Sequence, residues 1–236
     1  GWRLDAAYCV NPEFWAAVLP AVREKHPNVW IFGEVIHGDY AGIVRTSGMD
    51  SVTQYELWKA LWSSISDTNF WELDHALGRH RDIAKRTLPN IFIGNHDVDR
   101  IASKVGQDGE IVALALLMSL PGMPSIYYGD EQGFEGVRGE GFAADDAIRP
   151  PLPASPAELS ELGQWVFEEH KKLIGVRRRN QWLTHADVEV LDKENATISV
   201  RSRGENGEEI QTDAWLEPAP GVRIRAGAEV LYEWGS

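Results

Sequence analysis

Short, continuous apolar runs alternate with longer segments of helical spacing along the first 130 residues. One run is Val-Trp-Ile-Phe at 29–32, and continuous rather than alternating apolar residues are typical of strands buried on both faces of a parallel sheet. Between the runs, apolar residues recur every three or four positions, which predicts amphipathic helices. Strands that alternate with helices predict parallel βαβ units. The predicted strands are 1–4, 28–33, 49–54, 90–94 and 124–128, and the predicted helices are 12–25, 55–64, 70–85, 110–120 and 158–178.

The pattern changes in the last part of the chain. Residues 133–156 are rich in Gly, Pro and Asp, which predicts a long loop before the last helix. Beyond that helix, residues 197–201 alternate between polar and apolar side chains, and Gly-Glu-Asn-Gly at 204–207 predicts a turn. Residues 180–236 therefore predict a small antiparallel β domain that follows a larger α/β domain at 1–179.

Composition and charge narrow the function classes. The chain has 23 Lys and Arg residues against 36 Asp and Glu residues, a formal net charge of −13. Nucleic acids and anionic membranes bind clustered basic residues, so we expect neither as a partner. A single cysteine, Cys9, excludes an internal disulfide framework and a multi-cysteine zinc site. The chain begins at Gly1 without Met, so we expect a fragment of a longer protein, whose compartment and oligomeric state stay open.

Three carboxylates lie at or just past the ends of predicted strands. Glu34 follows Asp5 by 29 residues, and Asp97 follows Glu34 by 63 residues. A (β/α)8 barrel uses roughly 30 residues per unit, so the three carboxylates are expected on strands n, n+1 and n+3, at the mouth where barrel active sites lie. Retaining glycoside hydrolysis requires two carboxyl groups about 5–5.5 Å apart, which Asp5 and Glu34 are predicted to supply. The alternative is that each carboxylate caps a helix or pairs with an arginine.

Four segments resemble the motifs of one enzyme family. Gly-Trp-Arg-Leu-Asp-Ala-Ala at 1–7 resembles the nucleophile motif of the α-amylase family, glycoside hydrolase family 13. Phe-Gly-Glu-Val at 32–35 resembles its acid/base motif, and Phe-Ile-Gly-Asn-His-Asp at 92–97 its third catalytic motif. Gly-Met-Pro-Ser-Ile-Tyr-Tyr-Gly-Asp-Glu at 122–131 is similar to the motif on the last barrel strand of the family. The order and the spacing of the four segments are those of the family.

The resemblance implies a role for each matching residue. Asp5 is expected to be the nucleophile and Arg3 to keep it ionised, while Glu34 serves first as the general acid and then as the base. An apolar setting is expected to help Glu34 by raising its pKa. Asp97 is expected to bind sugar hydroxyl groups and His96 to donate a hydrogen bond there. The implied reaction is hydrolysis, with retention, of α-1,4-glucosidic bonds in starch-like or maltooligosaccharide substrates.

The sequence also departs from the family pattern. The nucleophile motif of classical α-amylases is followed by a Lys and a His, which serve an acceptor subsite and a calcium site. Here Tyr8 and Cys9 take those positions, so we expect no cofactor and no calcium at the usual site, and a stacking contact from Tyr8 to an acceptor sugar. His37 either lines the pocket or lies on a loop surface.

The first motif of the family is absent from these residues, and five βα units precede the β domain. The predicted fold is therefore a partial (β/α)8 TIM barrel, strands four to eight, followed by a β-sandwich. Two other functions share the same residues in part. One is an α-glucan transglycosylase or isomerase, such as trehalose synthases and sucrose-active relatives. The other is a non-catalytic barrel, as in amino-acid transporter heavy chains, which the presence of all three carboxylates disfavours.

Overall fold

The computed structural model describes residues 1–235, and its first part is a row of short parallel strands. Strands β1, β2 and β3 pair in that order, as do β4 and β5, and a parallel bridge between Thr53 and Asn90 connects the two groups. The predicted βαβ architecture with parallel strands is confirmed in this part of the chain. The strands are β1 (Trp2–Leu4), β2 (Ile31–Gly33), β3 (Ser51–Val52), β4 (Asn90–Phe92) and β5 (Met123–Ser125).

Six helices accompany the strands in the described part of the chain, and all of them except the second overlap a predicted helix. The first has a conventional start, because Asn11 Oδ1 accepts the backbone amide of Glu13 at 3.0 Å and Pro12 occupies the first helical position. None of the helices within residues 1–235 is long and apolar enough to cross a membrane. The helices are α1 (Pro12–Lys25), α2 (Tyr40–Ser47), α3 (Tyr55–Ser66), α4 (Trp71–Ala84), α5 (Ile101–Ser119) and α6 (Glu161–Arg179).

Two helical segments differ from the prediction. Helix α2 was not predicted, although Asp39 caps it by accepting the amide of Gly42 at 3.0 Å. Helix α5 begins nine residues earlier than the predicted 110–120 segment. Gly106, with φ of 69°, interrupts the helical backbone in its first turns, and only Ile101 and Val105 are large apolar residues there, so the apolar spacing is weaker than in the rest of the helix.

The last part of the described chain is one antiparallel sheet. Its strands follow a simple meander in the order β10-β9-β8-β7-β6, so the predicted antiparallel structure is confirmed. The predicted β-sandwich is wrong, because the second layer against this sheet consists of helices rather than a second sheet. The sheet shares one apolar core with α3 to α6, which includes Leu114, Val200 and Ile224. The strands are β6 (Asp187–Lys193), β7 (Thr197–Arg203), β8 (Glu209–Trp215), β9 (Gly221–Ala226) and β10 (Glu229–Trp234).

The surface around β1 and α1 is unusually apolar. Trp2 is 65% exposed and Phe14 is 53% exposed, and a groove beside them is lined by Trp15, Val18 and Val22 among others. Strand β1 pairs only with β2, so it is the edge of the parallel sheet among the described residues. An apolar edge of this kind is prone to association.

Candidate active site

Arg3 connects two of the predicted catalytic carboxylates. It lies on β1, Asp5 follows directly after that strand, and Glu34 follows β2, which pairs with β1 in parallel. Arg3 Nη1 donates to Asp5 Oδ1 at 2.6 Å, and Arg3 Nη2 lies 3.0 Å from Glu34 Oε1. Burial opposes the charge on Arg3, but the hydrogen bond to Asp5 and the charge of Glu34 hold the pKa of the guanidinium above its ordinary value. One guanidinium therefore brings both carboxylates to the same end of the sheet.

The two carboxylates differ in exposure. The side chain of Asp5 is 79% exposed, whereas that of Glu34 is only 8% exposed. Polar groups surround Glu34 rather than the apolar setting expected from the sequence, since the Ala6 amide donates to Oε2 at 2.8 Å and the Tyr55 hydroxyl donates to Oε1 at 3.1 Å. The predicted apolar environment of Glu34 is therefore wrong. Three hydrogen-bond donors surround its carboxylate: the Ala6 amide, the Tyr55 hydroxyl and the Arg3 guanidinium.

Asp97 faces the same group of charges from the turn that follows β4. Its Oδ2 lies 3.1 Å from His96 Nε2 and 3.9 Å from Arg3 Nη2. On the other side, Arg149 Nη2 lies 3.5 Å from Asp97 Oδ1 and donates to the His96 carbonyl at 2.9 Å. The structure therefore brings together Asp5, Glu34, Asp97, Arg3 and His96, as their positions at strand ends predict.

Tyr8 and His37 lie beside this group and contact each other. Their ring centroids are 5.8 Å apart, and the Tyr8 amide donates to the Glu34 carbonyl at 3.1 Å. Neither ring lines the cavity next to Arg3. Their contact with substrate stays a prediction.

A cavity of about 150 Å³ opens between the ends of β2, β4 and β5. Arg3 and His96 lie in its wall, together with aromatic rings that can pack against a sugar face. Burial, and then the charge of Glu34, raises the pKa of Tyr55 well above its ordinary value, so this hydroxyl stays protonated and can donate to Glu34. Burial raises the pKa of Tyr127 to about 12. The other lining residues are Phe32, Thr53, Asn90, Phe92, Gly94, Asn95, Ser125 and Ile126.

The sequence did not single out three residues that contact the predicted catalytic groups. Tyr55 follows the weak strand β3 and bonds Glu34, and Asn95 Nδ2 in turn donates to the Tyr55 hydroxyl at 2.7 Å. Tyr55 could have been inferred from the sequence, because it lies just after a predicted parallel strand, where barrel enzymes place their site residues. Arg149 comes from the 133–156 loop, whose composition carries no periodic signal that points to the site.

The side chains at the family's usual calcium position differ in this sequence. Calcium binds oxygen ligands, and the side chains of Tyr8 and Cys9 offer a phenol and an exposed thiol at the family's usual position. These two side chains do not fit a calcium site. In the part of the chain that the structure describes, no three His, Cys, Asp or Glu side chains are grouped to hold a metal. The absence of a cofactor stays a prediction.

The fold and the site together define the class of protein. Parallel βα units carry three carboxylates beyond the carboxyl ends of β1, β2 and β4, which is the arrangement of a barrel enzyme active site. Residues 5–152 match the model of the α-amylase catalytic domain. The chain belongs to the α-amylase family, which confirms the resemblance of the four motifs.

Individual relatives and structures agree with this placement. The chain is 30% identical to a cyclomaltodextrinase of Geobacillus thermopakistaniensis, over 86% of this chain and 35% of the relative. It is 26% identical to a 4-alpha-glucanotransferase of Thermotoga neapolitana, over 85% of this chain and 51% of the relative. A cyclic α-maltosyl-(1→6)-maltose hydrolase of Arthrobacter globiformis, solved in complex with that sugar, superimposes with a TM-score of 0.78 at 20% identity, over 91% of this chain and 48% of that one. The chain thus spans about a third to a half of these proteins.

Proposed function

We propose that this chain is part of an enzyme that hydrolyses α-1,4-glucosidic bonds of maltooligosaccharides or starch-like glucans with retention of configuration. Residues 1–179 supply strands four to eight of the catalytic barrel, and residues 180–236 follow as a smaller β domain. The cyclomaltodextrinase and the maltosyl-maltose hydrolase are named for α-glucan substrates, which supports this substrate class.

Asp5 attacks the anomeric carbon and forms a covalent glycosyl ester while Glu34 donates a proton to the leaving oxygen. Water then enters, Glu34 removes its proton, and the ester is cleaved to give a product of the original configuration. The 79% exposure of the Asp5 side chain leaves it open to a sugar ring. Asp97, placed between His96 and Arg149, accepts hydrogen bonds from hydroxyl groups of the same ring.

The observation that carries the proposal is the double contact of Arg3. Arg3 Nη1 lies 2.6 Å from Asp5 Oδ1, and Arg3 Nη2 lies 3.0 Å from Glu34 Oε1. The two carboxylates therefore lie on either side of one guanidinium at the same end of the sheet. Both carboxylates are therefore within reach of one substrate, and a separation of about 5–5.5 Å between them is what a retaining mechanism requires.

The anomeric configuration of the first product tests the mechanism. The intact enzyme is mixed with a maltooligosaccharide, and proton NMR follows the newly formed reducing end before mutarotation. We expect the α-anomer first. A β-anomer as the first product contradicts the retaining assignment, and failure to convert any α-glucan favours the non-catalytic alternative.

A second candidate, transfer of glucan chains, is supported by the similarity to the 4-alpha-glucanotransferase. The same glycosyl ester serves both reactions, and only the acceptor differs: water in hydrolysis and a sugar hydroxyl in transfer. Incubation with maltotriose separates them. Glucose and maltose alone indicate hydrolysis, whereas early formation of chains longer than maltotriose indicates transfer.

A further inference from the structure

A buried ion pair lies directly behind the turn that carries His96 and Asp97. Arg100 Nη1 donates to Asp130 Oδ1 at 2.9 Å, and both side chains are at most 1% exposed. Neither residue lines the cavity, and neither takes part in the chemistry proposed above. Removal of two charges from water is costly, and a well-packed apolar pair is often equally stable in such a place. A contribution to the stability of the fold alone therefore does not explain why charged residues occupy these two buried positions.

Arg100 packs against the wall of the cavity. Its Cζ lies 4.2 Å from the ring centroid of Tyr127 and 5.0 Å from that of Tyr128, within the range of cation–π contacts. Arg100 Nη1 also donates to the carbonyl of Tyr128. Because Tyr127 lines the cavity, Arg100 holds this part of the wall from behind.

Asp130 packs against the backbone of the catalytic turn. Its Oδ2 lies 2.8 Å from the point that a Cβ would occupy on Gly94. Gly94 immediately precedes the turn in which Asn95 Oδ1 accepts the Asp97 amide at 2.9 Å. This contact leaves no room for a methyl group on Gly94. It therefore sets the distance between the backbone of the turn and the side chain of Asp130.

The position of Arg100 in the chain links the two contacts. It follows Asp97 by three residues and immediately precedes α5, and its amide donates to the carbonyl of Gly136 at 2.9 Å. Arg100 therefore contacts the segment after β5 through Gly136. Through Asp130, it is also linked to Gly94, which precedes Asp97.

We propose that Arg100 and Asp130 are positioning residues, which hold the turn of His96 and Asp97 at a fixed spacing from Tyr127, across the cavity that His96 and Tyr127 line. The competing role is structural only, in which the pair contributes to the stability of the fold. A test by turnover rests on the proposed glycosidase function, whereas a test by amide hydrogen exchange within the turn is independent of that function. The positioning role and the glycosidase function can therefore fail separately.

The test replaces the pair by apolar residues of similar size in the intact enzyme, as Arg100→Met with Asp130→Leu. We expect a melting temperature near that of the parent, a kcat on maltooligosaccharides lower by about 100-fold, as for a catalytic group displaced by about 1 Å, and faster exchange of the Asp97 amide. The matched control is Tyr232→Phe, which removes a buried hydrogen bond of 2.9 Å to Glu169, and neither of these residues lines the cavity. It should lower the melting temperature and leave kcat unchanged.

A double variant that melts like the parent, with kcat within twofold and unchanged exchange at Asp97, overturns the proposal. If the double variant does not fold, Gly94→Ala replaces it, because the added methyl group pushes against Asp130 Oδ2 without any change of charge. We expect this variant also to lower kcat with KM much less affected. Normal kcat and normal exchange in Gly94→Ala overturn the proposal equally. A parent enzyme without activity contradicts the glycosidase function, and exchange at Asp97 still decides the role of the pair.

Discussion

Arg3 presents one positive charge to three carboxylates. It contacts Asp5 and Glu34 directly and lies 3.9 Å from Asp97, so it offsets the repulsion among them. The two carboxylates that it contacts differ in exposure, and this difference separates their chemistry. The open carboxylate can reach a carbon atom, whereas the enclosed one is held by donors that fix its direction.

Substitution of the proposed nucleophile should stop turnover. In the intact enzyme, Asp5→Asn is expected to lower kcat by at least about 1,000-fold, because a neutral amide cannot form the glycosyl ester. The matched control is Asp192→Asn at an exposed position of β6, which should keep the parent rate. Steady-state hydrolysis of a maltooligosaccharide gives the measurement, and a loss of less than about tenfold contradicts the assignment.

Substitution of the proposed acid should depend on the leaving group. Glu34→Gln cannot protonate the departing oxygen, so we expect a large loss on maltooligosaccharides and a much smaller loss on activated aryl maltosides, which leave without protonation. The ratio of kcat/KM values on the two substrates is the quantity to measure. Equal losses on both substrates contradict the role of Glu34 as the acid.

Calcium dependence follows from two side chains next to the nucleophile. Because Tyr8 and Cys9 replace the family's Lys and His, we predict that a chelator leaves the melting temperature of the intact enzyme unchanged. Thermal unfolding with and without the chelator is the measurement. A large drop in the melting temperature that added calcium reverses contradicts this prediction.

At the scale of elements, the ends of short strands decide where chemistry can occur. The parallel strands each have only two or three residues, and Asp5, Glu34 and Tyr55 follow β1, β2 and β3 within three residues of the strand end. The helices behind them are held by buried polar contacts as well as by apolar packing. One such contact joins α4 to the segment before β5, where His80 Nε2 lies 3.0 Å from the carbonyl of Pro121.

His80 gives the fold a dependence on pH. Burial lowers the pKa of His80 to about 4, below the ordinary value of 6.5. The unfolded chain binds the proton more tightly, so stability is full above pH 6.5 and declines as the pH falls toward 4. We expect the protonation of His80 to lower the free energy of unfolding by about 2 kcal/mol when the pH falls from 7 to 5.

The variant His80→Gln keeps a donor for the Pro121 carbonyl and does not titrate. Denaturant unfolding at both pH values should show a smaller difference for this variant than for the parent. His26→Gln, at an exposed position after α1, is the control and should retain the parent's difference. Equal pH dependence of His80→Gln and the parent rules out His80 as the cause.

At the scale of the whole molecule, the described strands do not enclose a barrel. The number, tilt and stagger of strands are linked in a closed barrel, and five parallel strands cannot close an eight-stranded one. The edge of the sheet at β1 and the apolar groove beside α1 are consequently exposed in these residues, as the 65% exposure of Trp2 illustrates.

We therefore predict that the 236 residues by themselves self-associate and do not hydrolyse maltooligosaccharides. Light scattering after size-exclusion chromatography measures the mass, and a chromogenic maltoside reports turnover. Trp2→Ser should reduce association, whereas Trp71→Ser, at a site that is 54% exposed on α4, should not. A stable monomer that cleaves the maltoside contradicts this prediction.

The sequence by itself determined the parallel βα order and the positions of the three carboxylates. These features are local, because strand burial appears as a continuous apolar run and a residue after that run must lie at a strand end. Asp5, Glu34 and Asp97 could thus be placed together, along with Arg3 and His96. The antiparallel character of the last part was equally local, since it appears as alternation and a glycine turn.

Only the tertiary structure decided which distant residues meet these groups. Arg149 lies 52 residues beyond Asp97 and contacts it through a loop without periodicity, and the pairing of Arg100 with Asp130 spans 30 residues. Packing, rather than any local pattern, also set a layer of helices against the last sheet where a sandwich was expected. Such contacts depend on how elements pack in three dimensions, and a pattern along one dimension does not contain that information.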